Sequence, residues 1–293
     1  MKTFHDKCLI SDSINLKSLE GYEQHYLVKS IPLGFIFASK IPTEQELIDN
    51  YKKYPRSTEI SPITIRRYHE LLDEFEKYKK TGKILDIGCG VGHFLIEARN
   101  RGWQVYGTEY TDEAIEKCKA VGIPMKRGKL NPTWYDRGMF DIVTSFEVIE
   151  HINNPVEEVR NINMILREGG LLYITTPNFN SVERYFLKSK YNVIKYPEHL
   201  CYYTRHTLIY LLKRNGFKKS KIITTGFSLS KLKEGLSKTN SNNGDLSDEK
   251  IREKLEANVF MVIIKQGINR FLSFFGIGNA IKGWFIKTKS VNA

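Results

Sequence analysis

Three glycines at alternate positions follow an acidic residue and mark a place where this chain can hold a ligand. Residues 84–94 read ILDIGCGVGHF, so that an apolar run reaches Asp86, then Gly88, Gly90 and Gly92, and a helical pattern starts at once. Glycine allows unusual backbone torsion angles and a close approach to a ligand. The N–H groups at the start of a helix favour carboxylates or phosphates. These residues predict a site for a nucleotide-like molecule.

The spacing differs from the fingerprint of dinucleotide-binding sites. That fingerprint requires G-x-G-x-x-G, whereas here the third glycine comes one position early and His93 stands in its place. Asp86 suits a cationic ligand with an amino-acid end better than it suits a pyrophosphate. A second apolar stretch, residues 103–107, leads to Glu109, which lies 17 residues beyond Gly92. A carboxylate at the end of a second strand can accept hydrogen bonds from both hydroxyls of a ribose.

The glycine segment and Glu109 together resemble the class I S-adenosylmethionine (SAM)-dependent methyltransferases. Residues 140–151 resemble the fourth strand of that family and the loop after it, and residues 166–177 resemble its fifth strand. Residues 197–217 are similar to a bacterial subgroup that methylates small molecules, quinone precursors and sugars. The resemblance covers roughly residues 60–228, with all motifs in order.

Alternating strand and helix patterns predict an α/β fold with a parallel sheet. The resemblance implies a Rossmann-like sheet of six parallel strands and one antiparallel strand, with helices on both faces and the last strand between the fifth and the sixth. Residues 59–293 would form this domain, with residues 229–278 as a helical insertion before a final strand at residues 280–288. Apolar residues at helical spacing predict an amphipathic helix over residues 61–79. Residues 1–58 are expected to form a small appendage.

The appendage is similar in position to a zinc ribbon that many relatives of the subgroup carry. The two expected C-x-x-C pairs read CLIS at residues 8–11 and SIPLG at residues 30–34. Three of the four thiolates are missing, and structural zinc needs four ligands. We therefore expect no metal, although residues 34–38 can still form a strand.

The resemblance implies SAM as the cofactor and gives each site residue a role. The three glycines let the loop approach the cofactor, Asp86 lies near its amino-acid portion, and Glu109 holds the ribose. The remaining predicted cofactor contacts are Cys89, Tyr110 beside the adenine, and Ser145, Phe146 and Glu147 against the methionine part.

Lys129 departs from the family pattern. Relatives usually carry an acidic residue here, which contacts the adenine amino group, and a lysine cannot accept that hydrogen bond. Either a backbone carbonyl accepts it in this chain, or the affinity for the cofactor is modest.

Two Glu-His pairs offer a base, which methyl transfer to a hydroxyl would need. His151 follows Glu150 just past the fourth strand, and His199 follows Glu198 in a loop where relatives place substrate-facing residues. A neighbouring carboxylate can raise the pKa of a histidine and orient its ring. The predicted catalytic residues are His199, His151 and Glu198, although both histidines can equally be structural.

Composition bounds the class of protein. The chain of 293 residues has a net charge of +12, and residues 211–293 carry 16 Lys or Arg against 6 Asp or Glu. The four cysteines are far apart, which fits reduced thiols in the cytoplasm. The N-terminus lacks the apolar core of a signal peptide. No apolar stretch approaches the roughly 18 residues of a membrane span.

These features favour a methyltransferase that acts on oxygen of a sugar, a glycolipid precursor or a quinone-like ring. The acceptor can be lipid-linked, since the basic C-terminal part allows weak peripheral contact with a membrane. A sugar C-methyltransferase is a close alternative. A nucleic-acid methyltransferase is disfavoured because no recognition module accompanies the basic charge, and a non-catalytic SAM-binding module stays open. A monomer or a homodimer is expected.

Overall fold

The computed structural model describes residues 3–43, 45–47, 60–227 and 259–288. The chain divides into two compact units. The first unit comprises Met1–Ile41, Thr176–Thr207 and Ile222–Lys282, and the second unit comprises Pro42–Thr175, Leu208–Lys221 and Gly283–Ala293.

Strands and helices alternate through most of the described chain. In chain order the strands are β1 (Leu16–Ser18), β2 (Leu27–Ser30), β3 (Ile36–Ala38), β4 (Lys83–Ile87), β5 (Gln104–Glu109), β6 (Met125–Arg127), β7 (Phe140–Phe146), β8 (Leu166–Pro177), β9 (Cys201–Tyr202), β10 (Phe217–Thr225) and β11 (Ala280–Lys287). The helices are α1 (Pro62–Glu76), α2 (His93–Asn100), α3 (Asp112–Ala120), α4 (Pro155–Ile165), α5 (Val182–Leu187), α6 (Arg205–Arg214) and α7 (Val259–Phe275).

Seven strands form one sheet in the order β10-β11-β8-β7-β4-β5-β6. The pairs β4–β5, β4–β7, β5–β6 and β7–β8 are parallel. β11 runs antiparallel to β10, because the Asn279 N–H donates to the Gly226 carbonyl and the Thr288 N–H donates to the Gly216 carbonyl. The predicted α/β class with a Rossmann-like seven-stranded sheet is confirmed. The last strand of this sheet, β11, lies between β8 and β10, which are its fifth and sixth strands in chain order.

The two central strands of this sheet, β4 and β7, each include a pair of buried apolar residues. Ile84 and Leu85 of β4 and Ile142 and Val143 of β7 are fully buried, as expected for parallel strands that are covered on both faces. Because β4, β5 and β7 are parallel neighbours, their carboxyl ends lie at one edge of the sheet, where such folds bind ligands. The segments that follow these three strands are therefore brought together.

The opposite edge of the sheet is fixed by a buried carboxylate, that of Asp141. It accepts hydrogen bonds from the backbone N–H groups of Lys80, Thr81 and Gly82, each at 2.7 Å, and its Oδ1 lies 2.5 Å from Nε of Arg167. Burial alone would raise the pKa of Asp141, but the Arg167 guanidinium and the three N–H donors outweigh burial and hold this pKa below its ordinary value. The carboxylate thereby joins the segment before β4 to β7 and β8.

The helix predicted over residues 61–79 is confirmed as α1. Ser61 caps it, since its Oγ accepts a hydrogen bond from the Thr64 N–H at 3.3 Å. Leu72 and Phe75 are fully buried on its inner face. The helix also carries Tyr68, which belongs to the wall of the cavity described below.

The first unit contains a four-stranded antiparallel sheet in the order β1-β2-β3-β9. The strand predicted within residues 34–38 is confirmed as β3. It pairs with β9, so that residues 1–41 pack with a segment more than 150 positions later. The predicted boundary between residues 58 and 59 lies outside the described residues, and it stays a prediction together with the likeness to a zinc ribbon.

The C-terminal helix begins in the described part of the chain at Val259 and ends at Phe275. Residues 229–258, which make up the first part of the predicted helical insertion, lie outside the described residues. The insertion predicted over residues 229–278 therefore stays a prediction. Within residues 3–43, 45–47, 60–227 and 259–288, no helix combines the length and the apolar character needed to cross a membrane.

Candidate functional site

A cavity of about 450 Å³ lies in the second unit at the carboxyl ends of β4, β5 and β7. This volume falls within the range of small-molecule sites. β4 contributes Asp86 to its lining, and the turn after β4 contributes Gly88, Cys89 and Gly90. The other predicted residues that line it lie at the end of β5 and just after it, Glu109 and Tyr110, and at the end of β7 and just after it, Phe146, Glu147 and His151.

The turn after β4 has the backbone that its glycines predicted. Gly88 and Gly90 have φ values of +68° and +55°, a region that side chains with a Cβ disfavour. A Cβ on Gly88 would lie 2.6 Å from Cγ2 of Val148, whereas a Cβ on Gly90 would meet no atom within 4 Å. The turn is therefore tightly packed on one side and open toward the cavity on the other. Gly92 precedes α2 and acts as its N-cap residue.

The carboxylate of Glu109 is held by backbone donors on two sides. Its Oε2 accepts a hydrogen bond from the Gly90 N–H at 3.1 Å. Its Oε1 accepts from the N–H groups of Tyr110 and Thr111 at 2.8 and 3.2 Å. Each carboxylate oxygen can accept more than one hydrogen bond. Glu109 is thus fixed in position and still able to accept hydrogen bonds from the hydroxyls of a ligand.

Asp86 is a buried carboxyl with a neutral neighbour. The Thr144 hydroxyl donates to its Oδ1 at 2.7 Å, because the parallel register places Thr144 of β7 opposite Asp86 of β4. Burial raises the pKa of Asp86 to about 8. A cationic ligand beside it would favour the charged form. Thr144 was missed by the sequence analysis, because nothing in its local pattern indicates which residue of β4 it faces.

The segment after β7 turns into the cavity through a residue with unusual backbone geometry. Glu147 has a φ of +52°, which is uncommon outside glycine. Its N–H donates to the Thr175 carbonyl at 3.1 Å. Phe146 and Glu147 line the cavity, whereas Ser145 is buried within β7 and is not part of the lining. The predicted contact of Ser145 with a ligand stays a prediction.

The two histidines belong to different compact units. His151 of the second unit lines the cavity, and its Nε2 lies 3.9 Å from Oε1 of Glu150. His199 of the first unit is buried, and its Nδ1 lies 2.7 Å from the Val193 carbonyl oxygen. Because a carbonyl only accepts, Nδ1 of His199 carries a hydrogen and the neutral ring has its lone pair on Nε2. Glu198 forms an ion pair with Lys195 at 2.5 Å.

Two charged residues, Lys129 after β6 and Glu158 of α4, also line the cavity. Lys129 donates to Oε2 of Glu157 at 2.8 Å. Glu158 is buried, and its Oε2 has no hydrogen-bond partner within the described ranges. Glu158 could not be recognised from the sequence, because an acid in the first turn of a helix is ordinarily solvent-exposed and favoured there by the helix dipole.

Comparison with known sequences gives a match over more than half of the chain. A family model described as "Methyltransferase domain" matches residues 61–221. A ubiquinone biosynthesis O-methyltransferase from Haemophilus ducreyi is 29% identical over 107 residues, which are 33% of this chain and 45% of that protein. A protein of the same name from Colwellia psychrerythraea is 27% identical over 112 residues, 36% of this chain and 45% of that protein. The chain thus spans less than half the length of these curated relatives.

Solved structures share the fold at low sequence identity. A SAM dependent methyltransferase from Archaeoglobus fulgidus has a TM-score of 0.53 and 20% identity, covering 84% of this chain and all 100% of that one. A phosphoethanolamine N-methyltransferase 2 from Haemonchus contortus, in complex with S-adenosyl-L-methionine, has a TM-score of 0.54 and 17% identity, covering 87% of this chain and 63% of that one. At these identities the likeness concerns the fold.

The environment of Asp86 predicts how stability without ligand depends on pH. Its pKa is raised from 3.8 to about 8, so between these values the folded protein binds more protons at this site than the unfolded chain. The Asp86 contribution therefore lowers the free energy of unfolding as pH rises from about 4 to 8, by at most about 1.4 kcal/mol per pH unit. Denaturant titrations across this range should show the slope in wild type and a shallower slope in Asp86→Asn. Equal slopes in the two proteins would contradict the assignment.

Proposed function

The chain belongs to the methyltransferase domain family, and from this we propose that it transfers a methyl group from SAM to an oxygen atom of a small molecule. The observation that carries the proposal is the carboxylate of Glu109, tied to the Gly90 N–H beside open space at the ligand-binding edge of the sheet. That arrangement suits a ribose next to a closely approaching backbone.

The residues of the cavity fit the cofactor. The space over Gly90 leaves room for it, Glu109 would accept hydrogen bonds from the ribose hydroxyls, and Asp86 would lie near the ammonium of the amino-acid portion. The half-exposed Tyr110, which also lines the cavity, would border the adenine. When bound, SAM supplies a methyl group that is already activated on a sulfonium sulfur. The task of the protein is then mainly to align donor and acceptor.

A quinone-like aromatic ring is the acceptor that we favour. Three aromatic side chains form one wall of the cavity, since the rings of Tyr68 and Phe94 lie 5.3 Å apart and those of Phe94 and Phe146 lie 5.1 Å apart. Such a wall suits a planar ring. The name shared by the relatives, ubiquinone biosynthesis O-methyltransferase, supports the same class. A sugar or a glycolipid precursor is the second class to assay.

We further propose that a histidine takes the proton from the acceptor hydroxyl. His151 is the first candidate, because it lines the cavity. His199, with Glu198 beside it, is the second, because the hydrogen bond from its Nδ1 to the Val193 carbonyl leaves the basic lone pair on Nε2. Both assignments require a neutral imidazole during turnover.

Loss of the Glu109 carboxylate should weaken binding of the cofactor while leaving the fold intact. Two hydrogen bonds from ribose hydroxyls to a charged acceptor are at stake, so calorimetry should show a Kd for S-adenosylhomocysteine raised about 10- to 100-fold in Glu109→Ala. Glu116→Ala is the matched control, because Glu116 is an exposed acid of the next helix, paired with Lys119. Wild-type protein that binds neither SAM nor S-adenosylhomocysteine would contradict the proposed function.

The two histidines are separated by the pH dependence of turnover. Replacement of the base by glutamine should lower kcat about 10²- to 10⁴-fold and abolish the rise of kcat with pH, while the Kd for S-adenosylhomocysteine stays within about twofold. Methyl transfer to catechol-type quinone precursors should be measured with His151→Gln and with His199→Gln. If a variant retains both kcat and the pH profile, the histidine that it replaces is not the base. If both retain them, the proposed base is wrong.

The first unit offers a surface for the predicted peripheral contact with a membrane. Phe271, Phe274 and Phe275 of α7 are exposed and in mutual ring contact, with Phe274 81% exposed. Tyr185 of α5 is also exposed, and it is linked to the residue that follows Phe275, because its hydroxyl donates to Asn180, whose amide donates to the Gly276 carbonyl. Residues 259–282 of this unit carry three Lys or Arg and no Asp or Glu. Aromatic rings flanked by basic residues favour an anionic lipid surface.

Vesicle sedimentation tests this contact. Wild-type protein should pellet with vesicles that contain anionic lipid at low salt, and it should stay in the supernatant with phosphatidylcholine alone. Phe274→Ser should weaken the binding several-fold, whereas Val121→Ser, at an exposed position of the second unit, should not. Binding that is absent, or equal in all three proteins, would contradict the proposal.

Fractionation of cells would test the cytoplasmic location, and sedimentation velocity would test the expected monomer or homodimer.

A further inference from the structure

Glu158 is a buried acid of the cavity for which the proposed function has so far given no role. It belongs to the first turn of α4, is 2% exposed and lines the cavity. Its Oε2 has no hydrogen-bond partner within the described ranges. A buried carboxyl oxygen without a partner is costly unless a ligand supplies the donor. The position therefore suits recognition of a polar hydrogen on the ligand.

Two contacts on either side of Glu158 locate it within the cavity. Oε2 of Glu157 accepts a hydrogen bond from Lys129 at 2.8 Å, and Nδ2 of Asn161 donates to the Leu130 carbonyl at 3.3 Å. Both partners belong to the segment that follows β6. Glu158 therefore lies against the end of the cavity that Lys129 and Leu130 form.

That end of the cavity lies beyond the position expected for the ribose. The strand order places β5, which ends in Glu109, between β4 and β6, and adjacent strands are about 4.8 Å apart. If the amino-acid portion of the cofactor lies near Asp86 of β4 and its ribose lies on Glu109, its adenine extends toward β6. Glu158 and Lys129 line the cavity on this side.

We propose that Glu158 recognises the 6-amino group of the adenine, with its Oε2 accepting a hydrogen bond from the exocyclic N–H. This inference rests on the proposed function. It would explain how a chain with Lys129 in place of the usual acid retains an acceptor for that group, since Lys129 is paired with Glu157 and the acceptor comes from α4 instead. Burial raises the pKa of Glu158 to about 7, as expected for a carboxyl that gains its donor only from a ligand.

Calorimetry with two ligands tests the proposal directly. One ligand is S-adenosylhomocysteine, and the other is its analogue in which hydrogen replaces the 6-amino group. Wild-type protein should bind the amino compound about 10- to 100-fold more tightly, and Glu158→Leu should reduce this preference to less than about threefold. Glu116→Gln is the matched control, because it changes an exposed acid of α3 that pairs with Lys119, and it should keep the wild-type preference.

The outcomes separate this inference from the proposed function. If wild-type protein binds neither compound, the proposed function fails and this inference fails with it. If wild-type protein binds the amino compound and Glu158→Leu keeps the full preference, only the role of Glu158 is overturned.

The isosteric variant Glu158→Gln serves as a second test if Glu158→Leu does not fold. At pH 6, binding to wild-type protein should release part of a proton as Glu158 ionises, which titrations in two buffers of different ionisation enthalpy measure. Glu158→Gln should lose that share of the proton release. Release equal to that of the wild type would overturn the proposal.

Discussion

The candidate site depends on one hydrogen bond, from the Gly90 N–H to the carboxylate of Glu109. It joins the turn after β4 to the end of β5, and it can form only because the parallel register sets Ile87 opposite Thr108. The turn after β4 needs residues without a side chain, because its φ values are positive and Gly88 packs against Val148. The carboxylate that we propose for ribose binding and an open stretch of backbone are thereby fixed side by side before any ligand arrives, which reduces the ordering cost of binding.

Buried acids at the two ends of the central strands have pKa values that are shifted in opposite directions. At the amino-terminal edge, Asp141 has a full set of donors that includes Arg167, and its pKa is held below the ordinary value. At the ligand-binding edge, burial raises the pKa of Asp86 and of Glu158, and Glu158 retains an oxygen without a partner. A buried carboxylate with a full set of hydrogen-bond donors stabilises a fold. A buried carboxyl with few donors and a raised pKa is typical of functional sites. The difference identifies the binding edge without reference to any relative.

Much of the fold could be predicted because its pattern is local. Apolar runs, glycine turns and helical spacing predicted the second unit's sheet, helix α1 and the strand within residues 34–38. The pairing of β3 with β9 could not be predicted, since it joins residues far apart in sequence and depends on which surfaces pack together. The grouping of residues 1–41 with later segments follows from that pairing. Likewise, the two candidate bases could be found as Glu-His pairs, but only the structure assigns His151 to the lining of the cavity.

The backbone of the site could be predicted from local sequence, because glycine tolerates the torsion angles of the turn. The acids Asp86 and Glu109 could be predicted as well, because each stands at the end of an apolar strand pattern. Which polar groups are buried, and which partners they have, depends instead on the packing of distant segments. Thr144 donates to Asp86 through register, and Glu158 reaches the cavity because contacts with Lys129 and Leu130 set α4 against the segment after β6. Burial and partnership set the chemistry of an ionisable group, and both arise from residues distant in sequence.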